Sequence, residues 1–157
     1  MRKLIQLIGS VAFWVSWPVF RIYLRGSKRT RTLIICKGEF LVVSGWLGTG
    51  WSLPGGGLHR GEDPVTGALR ELREETGIVL KDSQLIHLLD GHSSTYGLPY
   101  DYVAFHCVIN EKPVIQKQTL EISAYEWRSL NNFDKLEPNT DHVLRQWIAG
   151  HQSDRME

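Results

Sequence analysis

The sequence predicts an α/β fold, a mixed β-sheet sandwiched between helical layers. Three observations carry that prediction. Strand-like apolar runs stand on both sides of one acidic, amphipathic helix. The run Tyr102–Ile109 is almost continuously apolar, as a strand buried on both faces reads. A second helix follows the last strand, so helices are available for both faces of the sheet. A chain of 157 residues suits one such domain with a real core.

Residues 1–29 come first, an apolar and basic helical segment ahead of the domain. Leu4, Ile8, Val11, Val15, Val19 and Ile22 recur at helical spacing, with Phe13, Trp14, Trp17 and Phe20 beside them. Pro18 kinks or restarts that helix. Three placements stay open: packing on the sheet or in a homodimer, lying on a membrane surface, or spanning a membrane. Gln6, Gly9, Ser10, Ser16 and Pro18 weigh against spanning, and a poor small-residue cleavage pattern weighs against a signal peptide.

The domain then runs from strand to strand. Thr30–Ile35 reads as a strand, Lys37-Gly38 as a tight turn and Glu39–Val43 as the partner strand. A glycine-rich loop, Ser44–Gly50, leads through a short strand at Trp51–Leu53 into the turn Pro54-Gly55-Gly56-Gly57. Asp63 can cap the helix that follows, Pro64 suits its first position, and Gly77 stands where a left-handed stop belongs. The helix itself is expected over Val65–Thr76, with Ala68, Leu69 and Leu72 turned inward. Beyond it, Ile78–Leu80 and Leu85–Leu89 read as strands and Gly91–Tyr100 as a polar, aromatic loop. Tyr102–Ile109 is expected to be central in the sheet, and Glu121–Trp127 leads into the last strand. After a loop at Asn131–Glu137, Pro138–Ile148 forms the final helix, with Val143, Leu144 and Trp147 facing inward. Residues 151–157 are a polar, frayed tail.

Composition narrows the function classes. A net charge of +1 gives no sign of wholesale nucleic-acid binding. The positive charge is uneven, since Arg25, Lys28, Arg29 and Arg31 cluster before the first clear strand. Cys36 and Cys107 both lie in apolar runs, which points to buried thiols in a reduced cytoplasmic compartment.

The chemistry is concentrated on the central helix. Glu71, Glu74 and Glu75 stand at i, i+3 and i+4, so their carboxylates share a face with Arg70 beside them. Such a cluster is costly unless a cation or proton compensates it. Oxygen-only donors without His or Cys favour a hard ion, Mg2+ with Mn2+ as a substitute. That ion commonly shares its shell with phosphates, so the residues point to metal-assisted chemistry on a phosphate ester or anhydride. RELREE alone is also what a solvated helix with internal ion pairs looks like. The spacing of Gly56, Glu62, Arg70-Glu71-Leu72, Glu74-Glu75 and Gly77-Ile78 is far more specific, arising by chance less than about once in ten million starts.

This stretch, Gly56–Ile78, resembles the signature box of the Nudix hydrolases at every fixed position. A looser resemblance in strand order runs from about Thr30 to Trp147. It implies a Nudix-type α/β/α sandwich over residues 30–150. Carried over, the box implies Glu74 and Glu75 as the main Mg2+ ligands, with the Gly55 carbonyl as another. Glu71 would ligate metal or orient the attacking water, Arg70 would hold the box carboxylates in place, and Glu62 would stabilise the loop or touch an outer metal. Glu121, with Glu126 behind it, matches the segment that supplies a further carboxylate, an exposed loop acid being the alternative. The resemblance departs at Ser44 and His59, where family members often carry a basic residue and a Glu. His92 and His106 show no metal-ligand spacing and read as structural.

The implied reaction is attack of water on one phosphorus of a diphosphate linkage. Its products would be a nucleoside monophosphate with a phosphorylated partner or with pyrophosphate. Trp46, Trp51, Tyr96 and Tyr100 lie in or beside loops that could stack on a base or sugar, or else pack within the protein. The Trp-x-Leu-Pro-Gly-Gly-Gly run is similar to bacterial members assigned to ADP-ribose or nucleotide sugars. Tyr96 resembles a tyrosine of dinucleoside polyphosphate hydrolases, and nucleoside triphosphates form a further alternative. A non-catalytic, nucleotide-binding regulatory module is the reading from another class. Such modules usually lose box carboxylates, and this chain keeps all of them.

Overall fold

The structure is a computed structural model that describes residues 28–45, 50–95, 98–116 and 122–153. The amino-terminal segment, Trp46, Tyr96 and Glu121 lie outside those residues. Strand β1 is Lys28–Cys36, β2 is Glu39–Gly45 and helix α1 is Pro64–Thr76. After a 3₁₀ turn at Asp82–Gln84 come β3 (Ile86–Thr95), β4 (Leu98–Ile109), β5 (Ile122–Ser129) and helix α2 (Pro138–Ser153). The strands form one sheet in the order β3-β4-β1-β2-β5. Among the described residues only the β1–β4 pair of strands is parallel; β1–β2, β2–β5 and β3–β4 are antiparallel, so the sheet is mixed as expected.

Alternation along β1 divides its side chains between two cores. Ile34 joins Leu41, Ala68, Leu72, Val103 and Phe105 beneath α1. Leu33 and Ile35 join Phe40, Val42, Leu53, Tyr102, Val143, Leu144 and Trp147 beneath α2. Helices therefore cover both faces, and both thiols are buried, with burial pushing the Cys107 thiol up. The tight turn falls where expected, with Lys37 at φ 50° and Gly38 at φ 79°. No helix among the described residues is long and apolar enough to cross a membrane.

Four expectations are corrected. Ile78–Leu80 is not a strand: Ile78 is buried under α1 by packing, and this extended segment leads into the 3₁₀ turn without a sheet ladder. Gly91–Tyr100 is not an open loop. Its two arms extend β3 and β4 as a hairpin, paired from Gly91↔Tyr102 out to Thr95↔Leu98. Trp51–Leu53 is tethered by isolated bridges, Val43↔Ser52 and Trp51↔Leu136, rather than forming a full strand. Helix α2 runs past Ile148 to Ser153.

Candidate active site

The glycine turn Pro54–Gly57 is stitched across the start of β1. The Thr32 amide donates to the Pro54 carbonyl at 2.8 Å, the Thr30 amide to Gly56 at 2.9 Å, and the Leu58 amide to Lys28 at 2.9 Å. Gly55 sits at φ 140°, with Thr30 so close that an added Cβ would lie 2.2 Å from its carbonyl oxygen. Only glycine can pass there.

Helix α1 starts and stops by local chemistry. The Asp63 carboxylate accepts from the amides of Val65 and Thr66 at 3.0 and 3.2 Å, and Pro64 follows it. Gly77 ends the helix at φ 74°, its amide donating to the Arg73 carbonyl. Ala68 and Leu72 are fully buried, Leu69 partly so, and this anchors the helix with its acidic side at the glycine turn.

Arg70 organises that acidic side. Its Nε and Nη2 fork onto the two Glu62 oxygens, each at 2.9 Å. Nη1 donates to Glu71 at 2.8 Å and to Glu74 at 3.1 Å, and Nη2 also reaches the Gly57 carbonyl at 3.0 Å. All five guanidinium donors are thus engaged. The fork from Arg70 holds the Glu62 carboxyl down to about 2. Those same carboxylates raise the Arg70 pKa. Glu62 also accepts from the His59 amide at 2.8 Å, which ties the loop to the helix.

Glu71 and Glu75 are buried at 9% and 8% exposure, whereas the Glu74 side chain is 39% exposed. Glu71 presses against Gly56, where an added Cβ would lie 2.6 Å from its carboxyl group. Glu75 accepts from the Gly55 amide at 2.8 Å. The Gly55 carbonyl accepts from Arg31 Nη1 at 2.7 Å, which leaves it one lone pair for another partner.

The box donors are all hard oxygens gathered beside a glycine cradle, and that chemistry fits a divalent ion such as Mg2+. Among the described residues, no three His, Cys, Asp or Glu side chains converge on a finished metal cage. Here Glu71 and Glu74 are turned to Arg70, and Glu75 to the Gly55 amide.

Of the stacking candidates, Tyr100 and Trp51 are among the described residues. Tyr100 is 4% exposed on β4, with its hydroxyl accepting from Asn139 at 2.9 Å. Trp51 packs on the α2-side core beneath the Arg128 guanidinium, 4.7 Å from its ring. Glu126, on β5, pairs with Arg128 at 3.1 Å. The sequence showed Arg29 and Arg31 only as part of a basic cluster, with Arg29 ahead of the first strand and Arg31 inside it, and joined neither to the glycine turn. Both lie within β1, and their alternation with Leu33 and Ile35 was the available signal.

The family model for the NUDIX domain matches residues 26–149. The chain is 30% identical over 125 residues to Nudix hydrolase 6 of Arabidopsis thaliana, covering 78% of this chain and 43% of that protein. It thus spans less than half the length of that curated relative. Among solved structures, the binary complex of C. elegans Ap4A hydrolase superposes with a TM-score of 0.69 at 22% identity, covering 81% of this chain and 98% of that one. A structure of UDP-X diphosphatase superposes with a TM-score of 0.65 at 22% identity, covering 80% and 64%. At that identity the superpositions speak for the fold.

Proposed function

The chain belongs to the Nudix family, and from that premise we propose that it is a pyrophosphohydrolase using a divalent ion, Mg2+ first, with Mn2+ as a substitute. The substrate class is a nucleoside diphosphate linked to another moiety, such as ADP-ribose or a nucleotide sugar. The observation that carries the reading is the intact acidic side of α1, set against the glycine turn and ordered by Arg70.

Glu71, Glu74, Glu75 and the Gly55 carbonyl would hold the metal. When bound, it supplies charge neutralisation of the diphosphate and acidifies water at the site. The protein's own groups do the rest. Glu71, buried against Gly56, would orient a water and take its proton. Water oxygen bonds to one phosphorus, the bridging P–O bond breaks, and the departing phosphate keeps the electron pair. Arg70 fixes the carboxylates but reaches the substrate only through them. The nucleotide-binding regulatory alternative is disfavoured because Glu71, Glu74 and Glu75 are all retained.

A substrate panel with Mg2+ tests this. ADP-ribose, nucleotide sugars, nucleoside triphosphates and dinucleoside polyphosphates would be compared, with products identified by mass. The expected result is a nucleoside monophosphate and a phosphorylated partner from the first two classes, abolished by chelation. Turnover confined to the triphosphates or polyphosphates would replace the substrate class. Nucleotide binding with no turnover anywhere would overturn the enzymatic reading.

A further inference from the structure

The other end of the Gly55 peptide carries a second polar cluster, on the face of the sheet turned toward α2. Arg29 and Arg31 share that face with Leu33 and Ile35. Arg31 is only 5% exposed. Its Nη1 donates to the carbonyls of Thr30 at 3.1 Å and Gly55 at 2.7 Å, while its Nε is buried with no partner among the described residues. The Arg29 guanidinium lies 4.3 Å above the Tyr100 ring, and Asn139 fixes that ring through its hydroxyl. Among the described residues, neither arginine forms an ion pair with a carboxylate. Burial and the like charge of Arg31 lower the Arg29 pKa, and Glu137 offsets only the smallest part of that.

A guanidinium cannot shed its proton at ordinary pH, so a buried Arg31 beside a half-buried Arg29 calls for an anion. The location says which anion. Gly55 gives its carbonyl to Arg31 and its amide to Glu75, so one residue joins the cation pair to the box carboxylates. We propose that Arg29 and Arg31 form an anion subsite that takes a phosphate group of the substrate, across the glycine turn from the box carboxylates. Identifying that anion with part of the substrate rests on the hydrolytic reading above. The subsite itself rests on the two arginines. Planar guanidiniums suit phosphate oxygens, and the Tyr100 ring holds Arg29 in place for them.

Calorimetric titration with pyrophosphate in excess chelator tests the subsite without requiring turnover. The wild-type chain is expected to bind. Arg29→Gln is expected to weaken binding by about tenfold or more with an unchanged circular dichroism spectrum. Lys28→Gln, the same charge change at an exposed neighbour, is expected to bind as the wild type does. Arg31→Lys keeps the charge if Arg31→Gln fails to fold, and it should also bind more weakly because the fork is lost. No binding by the wild type, or equal weakening in the Lys28 and Arg29 variants, would overturn the subsite. Intact, Arg29-dependent binding beside a silent substrate panel would keep the subsite and overturn the hydrolytic reading. An active panel with KM unchanged in Arg29→Gln would do the reverse.

Discussion

Arg70 shows how one residue turns a costly acidic cluster into an ordered one. Its side chain is 17% exposed, and it pairs with Glu62 and Glu71 at 12% and 11% exposure. Removing it would leave those carboxylates buried without their cation, so Arg70→Ala should destabilise the fold by about 3 kcal/mol, read from urea unfolding. Arg70→Lys should recover only part of that, because an ammonium cannot fork onto Glu62 while reaching Glu71. The Glu62 carboxyl gives a matching pH signature. Its pKa falls from 4.5 to about 2 on folding, chiefly through the hydrogen bonds from Arg70. A depressed carboxyl contributes stability above its unfolded value and loses it as pH falls through the folded one. Unfolding midpoints should therefore drop between pH 4.5 and about 2, and Arg70→Gln should flatten that slope.

Helix α1 was legible in the sequence because its limits are set by neighbours in the chain. Asp63, Pro64 and Gly77 act on amides and carbonyls within a turn of themselves. The β3–β4 hairpin was not, since nothing local in Gly91–Tyr100 announces a ladder. What pairs it is register across two strands, with Gly91 giving room to the Tyr102 ring. Ile78–Leu80 misled for the opposite reason: its apolar character serves packing under α1, which periodicity alone cannot tell from pairing. The box carboxylates could be named from spacing, yet their partners could not. That Arg31 would occupy the Gly55 carbonyl depends on how the glycine turn lies across β1. That closeness makes Gly56→Ala informative. Its methyl would meet the Glu71 carboxyl at 2.6 Å. The variant should lose about 1–3 kcal/mol of stability through overpacking, and hydrolytic activity should fall with the displaced Glu71. Thermal melts and initial rates on one sample would check both.

At the scale of the whole molecule, the mixed sheet separates two tasks and the glycine turn joins them. The face under α1 carries the acidic side of the box; the face under α2 carries Arg29, Arg31 and Tyr100. Two cores, each covered by its own helix, flank the sheet, and backbone hydrogen bonds hold the turn against the start of β1. In the proposed function the carboxylates of α1 act through a divalent ion. Glu74 tests it best, because its side chain is 39% exposed and its loss should leave the fold intact. The decisive measurement is the Mg2+ dependence of hydrolysis in the wild type and in Glu74→Gln, on the best substrate of the panel, with melting temperature measured alongside. The expected result for Glu74→Gln is a rate lower by about 100-fold or a Mg2+ requirement shifted upward by at least that factor, at an unchanged melting temperature. Equal rates with equal Mg2+ dependence in the two proteins would contradict it.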